Sequence, residues 1–280
     1  MNIALQTLEY LSMEDSYFPF LAARSDIVFV RNMLERTEIY SDFSAFMNKI
    51  FSVPLSRLGY SNIGSGHLEI LLRKLVLEEA CRYGDQNCID FAINSFQMLM
   101  NSAGNSNPID VDLRSIVYHT AIQYGGVNEW EFAYGKYTTS NLGSDRVLFL
   151  YACSYSRDVT ILNRFLQYIL TDDIRKQDGE NILRLISRNP IGRTLVWDFL
   201  RANWDDIITR FVSINYLIAD VTAKFNTEND LQSILTFKAS RPNLGNAAAA
   251  IDRAIETTRA NIKWMDSNFQ IIKNWLQSLP

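Results

Sequence analysis

The feature that most constrains this chain is the spacing of its apolar residues. Large hydrophobic side chains recur three and four positions apart almost from end to end, which places them on one face of an α-helix. "DIVFVRNMLERTEIYSDFSAFMNKIF", "HLEILLRKLVLEEACRYG", "CIDFAINSFQMLMN" and "DRVLFLYACSY" all follow this period. Alternating strand-like stretches bounded by turn signals are nearly absent, and most breaks are helix caps and short polar turns such as "GDQN", "NSAGNSNP" and "TTSNLGSD". The chain is therefore predicted to be all-α. Apolar segments of roughly 10 to 18 residues joined by short turns are what antiparallel helix pairs require. With about a dozen in a row and no compositional shift to mark a linker, a curved stack of such pairs, a HEAT-like superhelical array, is more economical than a closed bundle. No exact repeat period is visible, which counts against the tetratricopeptide class.

One stretch, "NPIGRTLVWDFLRANW" at 189 to 204, reads as the start of a well-packed helix. Asn189 suits an N-cap, and Pro190 at the first helical position sacrifices no needed donor. Trp197, Leu200, Trp204, Ile208 and Phe211 come after it at helical spacing, so Trp197 and Trp204 are expected in a core and not on a ligand platform. Further on, "SRPNLGNAAAA" at 240 to 250 is the clearest loop, with Pro242 and Gly245 in it. The C-terminal segment "AIDRAIETTRANIKWMDSNFQIIKNWLQSLP" reads as two terminal helices anchored by Trp264 and Trp275.

Composition narrows the function classes. At 280 residues and 48% hydrophobic, the chain can bury a large core. Its 27 basic residues are scattered among 31 acidic ones for a net charge of −4, so no basic stripe awaits a phosphate backbone and nucleic acid is not an expected partner. No apolar run approaches the roughly 20 residues of a membrane-spanning helix. "MNIALQTLEYLSMEDSYF" lacks a basic leader and carries acids where a signal peptide would be apolar, which fits either a cytosolic protein or a piece of a longer one. There is no N-x-S/T sequon.

Motifs that would carry chemistry are missing. A zinc peptidase helix needs two histidines four residues apart with a glutamate between them, whereas the two histidines here, His67 and His119, are 52 positions apart. Neither a phosphate loop nor a dinucleotide fingerprint occurs, and "GYSNIGSG" at 59 to 66 reads as a flexible turn. Gly64, Ser65 and Gly66 only superficially suggest a nucleophile elbow. Asp172 with Asp173, and Asp205 with Asp206, are adjacent and so diverge around a helix. Cys81 and Cys88 flank "RYGDQN", and that spacing accommodates a bridge across the turn or two reduced cysteines. Cys153, in an apolar run, reads as a small buried hydrophobe.

The ordered blocks nevertheless carry a resemblance. "NPIGRTLVWDFLRANWDDIITRF" resembles the N-x-x-G-x-x-L-x-W-D-F-x-x-x-N-W stretch in the C-terminal helical domain of the aminopeptidase N family of zinc aminopeptidases. "LRSIVYHTAIQYGGVNEWEFAYGKY" is similar to that family's L-R-x-x-V-Y block with its G-G and E-W. "LNRFLQYILTDDIRKQDG", "FNTENDLQSILTF" and "RANIKWMDSN" continue in the family's order, and "YLSMEDSYFPFLAARSDIVFVRNMLERTEIY" is a looser match to the helices that begin the domain. The resemblance thus covers essentially the whole chain.

It implies a single C-terminal helical domain over residues 1–280, with no catalytic activity of its own. The zinc-binding H-E-x-x-H helix, its glutamate ligand and the G-x-M-E-N loop belong to a part not present here. Such a domain would close the substrate cavity over the catalytic domain of the same polypeptide, limit which peptides reach the zinc, and support a homodimer. The resemblance further implies a Cys81–Cys88 disulfide, because the pair matches one bonded in cell-surface members, and with it the secretory pathway or the extracellular face of the plasma membrane. The family's second bridge would join the position of Cys153 to a cysteine where this chain has His119, so Cys153 should lack a disulfide partner. Arg114, Arg164 and Arg175 are candidate contacts for a peptide's C-terminal carboxylate, for which arginine offers bidentate geometry; surface ion pairing is the commoner role for each. The alternative function is a free-standing HEAT-like adaptor that binds a protein partner on its concave face.

Overall fold

A computed structural model describes residues 2–102, 107–211, 213–241 and 243–279, with side chains from Leu5 onward. Pro242 and the centre of the "NSAGNSNP" turn lie outside the described residues. Fifteen α-helices and three short 3-10 segments make up the described secondary structure, and the described residues contain no strand. The all-α class expected from the apolar period is therefore what the structure shows. No helix among the described residues is long and apolar enough to cross a membrane.

Contacts divide the chain into two compact units, Met1–Ala152 with Gln270–Pro280, and Cys153–Phe269. The first holds α1 (Asn2–Leu8), α2 (Tyr17–Leu34), α3 (Tyr40–Leu58), α4 (His67–Arg82), α5 (Gln86–Asn101), α6 (Arg114–Tyr124), α7 (Val127–Thr139) and α8 (Gly143–Ala152). Consecutive helices α3 and α4, α5 and α6, and α7 and α8 pack on one another. Rings fill the space between them: Phe51 lies against both Phe20 and Tyr83 at 6.0 and 6.1 Å, and Tyr118 stacks on Phe149 at 4.5 Å while meeting Phe96 edge-on at 5.6 Å. Offset and edge contacts of this kind add to the area that each ring buries.

In the second unit are α9 (Val159–Tyr168), α10 (Lys176–Arg188), α11 (Gly192–Ala202), α12 (Trp204–Arg210), α13 (Ile214–Thr222) and α14 (Glu228–Ser240). α15 (Ala248–Gln277) starts here, and its last turns belong to the first unit. Local chemistry sets the helix starts. Asp158 accepts from the Thr160 and Ile161 N–H groups at 2.7 and 3.3 Å, and Thr227 and Asp230 form a reciprocal capping box at the head of α14. At the C-terminal end of α10 the buried Lys224 ammonium donates to the Arg188 carbonyl at 2.9 Å, a cation placed where the helix dipole favours one.

Two helix boundaries differ from the sequence reading. The expected core helix beginning at Asn189 is two helices: Asn203 leaves the helical conformation at φ −113° and ψ 29°, ending α11 and opening α12, while its side chain donates to the Phe199 carbonyl at 2.9 Å. Trp197, Leu200, Trp204 and Phe211 are buried, but Ile208 beyond the break is exposed. Conversely, the end of the chain is one 30-residue helix and not two. Ser267 and Asn268 donate to the Lys263 and Trp264 carbonyls one turn back and so stay inside the helix. Trp275 anchors it, packing edge-on against Phe46 at 4.8 Å, whereas Trp264 is only half-buried.

Candidate functional site

The residues that give this chain its signature sit at three places, and each can be built from the side chains upward. The first is the junction of α10 and α11. Asn189 ends α10 and also takes the capping role the sequence predicts ahead of α11, its backbone carbonyl accepting the Arg193 N–H at 3.0 Å. Its amide donates to the Ser154 and Ser156 carbonyls at 3.1 and 2.7 Å, while its oxygen accepts the Ile191 N–H at 3.1 Å. One side chain thereby satisfies three backbone groups that would otherwise lack partners. Three residues on, Gly192 passes so close to α10 that a Cβ there would lie 2.4 Å from the Ile186 carbonyl oxygen. Only glycine fits that approach.

Trp197 comes next, 4% exposed, with its indole N–H donating to Ser233 Oγ at 2.8 Å. Its ring meets Phe225 and Phe237 edge-on at 5.8 and 5.5 Å, and Trp204 meets Phe237 at 5.0 Å. The two tryptophans are core. Asn261 of the "RANIKW" block repeats the device of Asn189, donating to the Ala223 and Phe225 carbonyls at 3.1 and 2.9 Å.

The second place is the start of α7. A Cβ on Gly125 would lie 2.5 Å from the Ala121 carbonyl oxygen, and Glu129 reaches back to accept the Gly126 N–H at 2.7 Å. Trp130 beside it is 1% exposed and stacks on Tyr134 at 5.2 Å. The G-G and E-W of the sequence block are thus a tight turn, a cap and a core residue.

The third is the corner between α4 and α5. Cys81 and Cys88 form a disulfide with their Cα atoms 5.1 Å apart. Asp85 caps α5 through the Cys88 N–H at 2.9 Å and accepts the Ser52 hydroxyl at 2.6 Å, tying the corner to α3. Both sulfurs are buried, so the bond is structural and shielded from exchange. We expect the paired Cys81→Ser, Cys88→Ser variant to lose about 2–3 kcal/mol of stability, as the chain-entropy model gives for so short a loop. Denaturant titration of oxidised and variant protein measures it, and non-reducing peptide mapping should recover the two cysteines on linked peptides. Cys153 carries no disulfide and is fully buried.

Beneath this corner runs a buried charge network that sequence reading missed. Arg31 of α2 meets Glu79 of α4 at 3.2 Å and Glu35 at 3.5 Å, and Arg82 reaches Glu79 at 3.6 Å. His119 lies close enough to feel Arg82. Burial first, and that cation second, lower its pKa to about 3, so it is a neutral imidazole at ordinary pH. The clue in the sequence was the pair Glu78–Glu79 set inside the apolar run from Leu75 to Cys81.

Among the described residues no group of three or more histidine, cysteine, aspartate or glutamate side chains is placed to hold a metal ion. His67 is exposed at the first turn of α4 and His119 is held in α6, so the residues present do not fit a catalytic zinc. The three arginines are dispersed along the chain. Arg114 pairs with Asp145 at 3.3 Å and Arg175 with Asp178 at 2.6 Å, while Arg164 is exposed on α9.

Comparison with known proteins accounts for a signature made of packing. The model of the ERAP1-like C-terminal domain matches residues 1–263. Aminopeptidase N of Rattus norvegicus is 33% identical over 98% of the chain, and that of Homo sapiens 32% over 98%; in each case the match covers 30% of the relative. Aminopeptidase A of Gloydius brevicauda is 31% identical over 98% of the chain and 29% of its own length. The chain therefore spans about 30% of the length of these relatives. With caps, close-approach glycines and core tryptophans standing where the family blocks stand, the chain belongs to the ERAP1-like C-terminal domain family.

Proposed function

We propose that this chain is the non-catalytic C-terminal domain of a zinc metallo-aminopeptidase that removes N-terminal residues from peptides. On this reading the domain closes the substrate cavity over the catalytic domain of the same polypeptide, limits peptide access, and supports a homodimer. The observation that carries it is the family match across residues 1–263, to relatives named as aminopeptidases of which this chain spans about 30%. The zinc that such an enzyme uses would be held by the parent's other part, since this chain offers no ligand set for it among its described residues. The buried Cys81–Cys88 bridge supports passage through an oxidising compartment, and so a place in the secretory pathway or outside the cell.

Two measurements test the proposal. The 280-residue chain alone should bind no stoichiometric zinc and release no amine from an aminoacyl reporter; one tightly held zinc with turnover would sink it. In the parent enzyme, removal of this domain should change relative rates on long and short peptides more than hydrolysis of a single-residue reporter. Unchanged relative efficiencies in a folded truncation would refute the access role. Arg114, Arg164 and Arg175 remain the proposed contacts for a peptide's C-terminal carboxylate. Arg114 and Arg175 would have to exchange an aspartate for it. Substituting Arg164→Gln should then raise KM for free-acid peptides and leave their C-terminal amides unaffected; equal effects on both would remove this contact.

A further inference from the structure

Past the end of α14 the chain turns back to start α15, and a groove of about 430 Å³ is left between them inside the second unit, a volume in the range of small-molecule sites. Among the described residues its wall is Leu235, Lys238 and Ala239 of α14, Arg241 and Leu244 of the connection, and Ala248 at the head of α15. Leu235 and Leu244 are half-buried, and the two alanines contribute only methyl groups, so the floor is apolar and the space above it unfilled. Lys238 and Arg241 stand at the C-terminal end of α14, where the helix dipole favours cations. Lys238 pairs with Asp252, and Arg241 with Asp205 at 2.9 Å, but neither aspartate is part of the wall. The lining therefore joins alkyl groups to two cations and no acid.

We propose that this groove binds a free medium-chain fatty acid, its alkyl chain on Leu235, Ala239, Leu244 and Ala248 and its carboxylate between Lys238 and Arg241. Charge complementarity selects the head group: arginine offers a carboxylate two parallel donors and lysine adds a point charge. Both resident aspartates are more than half exposed, at 53% and 82% of their side-chain surface, and exposed ion pairs of this kind contribute little, so a ligand carboxylate can share or replace them. The wall also selects the tail. None of its side chains is a neutral hydrogen-bonding group, so the amides of a peptide laid along it would lose water without gaining a side-chain partner, whereas an alkyl chain has no polar group to satisfy. The site is independent of the parent-enzyme reading, because every residue in it belongs to the second unit of this chain.

Calorimetric titration of the whole 280-residue protein with decanoate, kept below its micelle concentration, should show saturable one-to-one binding. Each buried methylene multiplies affinity by about four, so octanoate should bind roughly tenfold more weakly. Ala239 is exposed, and Ala239→Trp should fill the groove and weaken decanoate by at least about tenfold while the circular dichroism spectrum stays that of wild type. The double variant Lys238→Gln, Arg241→Gln changes only partly exposed side chains and tests the mouth whether or not Ala239→Trp folds; it should weaken decanoate about tenfold and leave decanol unchanged. No saturable binding of decanoate overturns the proposal, as does binding that a folded Ala239→Trp leaves intact. Decanol bound as tightly as decanoate by the wild type would remove the role of the two cations. Tighter binding of an acidic, leucine-rich peptide than of decanoate would overturn it in favour of a protein partner.

Discussion

Trp197→Ala is expected to cost about 3–5 kcal/mol of unfolding free energy, the range for truncating a large buried aromatic. The indole is almost fully buried, packs edge-on against two phenylalanines and donates its N–H to Ser233. Truncation leaves a cavity between α11 and α14 and takes from the Ser233 hydroxyl the indole donor it accepts. Trp197→Phe separates the two contributions: it keeps much of the ring packing and loses the hydrogen bond, so it should cost clearly less, with roughly 1 kcal/mol of the loss assigned to the bond. Urea denaturation monitored by far-ultraviolet circular dichroism reads both. If Trp197→Ala unfolds at the wild-type midpoint, the ring is not a core element and the ligand-platform reading regains ground.

That tryptophan shows how far the residues alone could lead. An apolar period of three and four is a direct consequence of burying one helix face, so helix content and the burial of Trp197 and Trp204 were both legible. Where helices begin and end was less so. Asn203 stands at a helix break with its amide folded back to Phe199, and Asn268 stands inside a helix with the same bond to Trp264. The same side chain and the same i−4 carbonyl give opposite results, because what decides is the path of the next stretch of backbone, set by packing. The roles of Gly192 and Gly125 were equally hidden, since they depend on how closely another backbone passes. The family blocks were recognisable before their physics was. Their asparagines and glycines serve carbonyls and close approaches, so the pattern of these blocks is a record of packing.

The charge network under the α4–α5 corner leads to the second large effect. Arg31→Ala is expected to cost about 3–5 kcal/mol, because it removes the cation that Glu35 and Glu79 share and leaves buried carboxylates under-compensated. Both acids are nearly inaccessible, at 4% and 3% of their side-chain surface, so water cannot replace the guanidinium. Glu79 retains Arg82 at 3.6 Å, a longer contact to a group that is itself 27% exposed. The penalty should be largely recovered in the triple variant Arg31→Met, Glu35→Leu, Glu79→Leu, which replaces the buried ions with apolar groups of similar size and leaves Arg82 its contact with Glu78 at 3.2 Å. Thermal or urea unfolding of the single and triple variants decides it. A single variant as stable as wild type at neutral pH would mean that the pair is solvated, and that α2 is held to α4 by apolar packing alone.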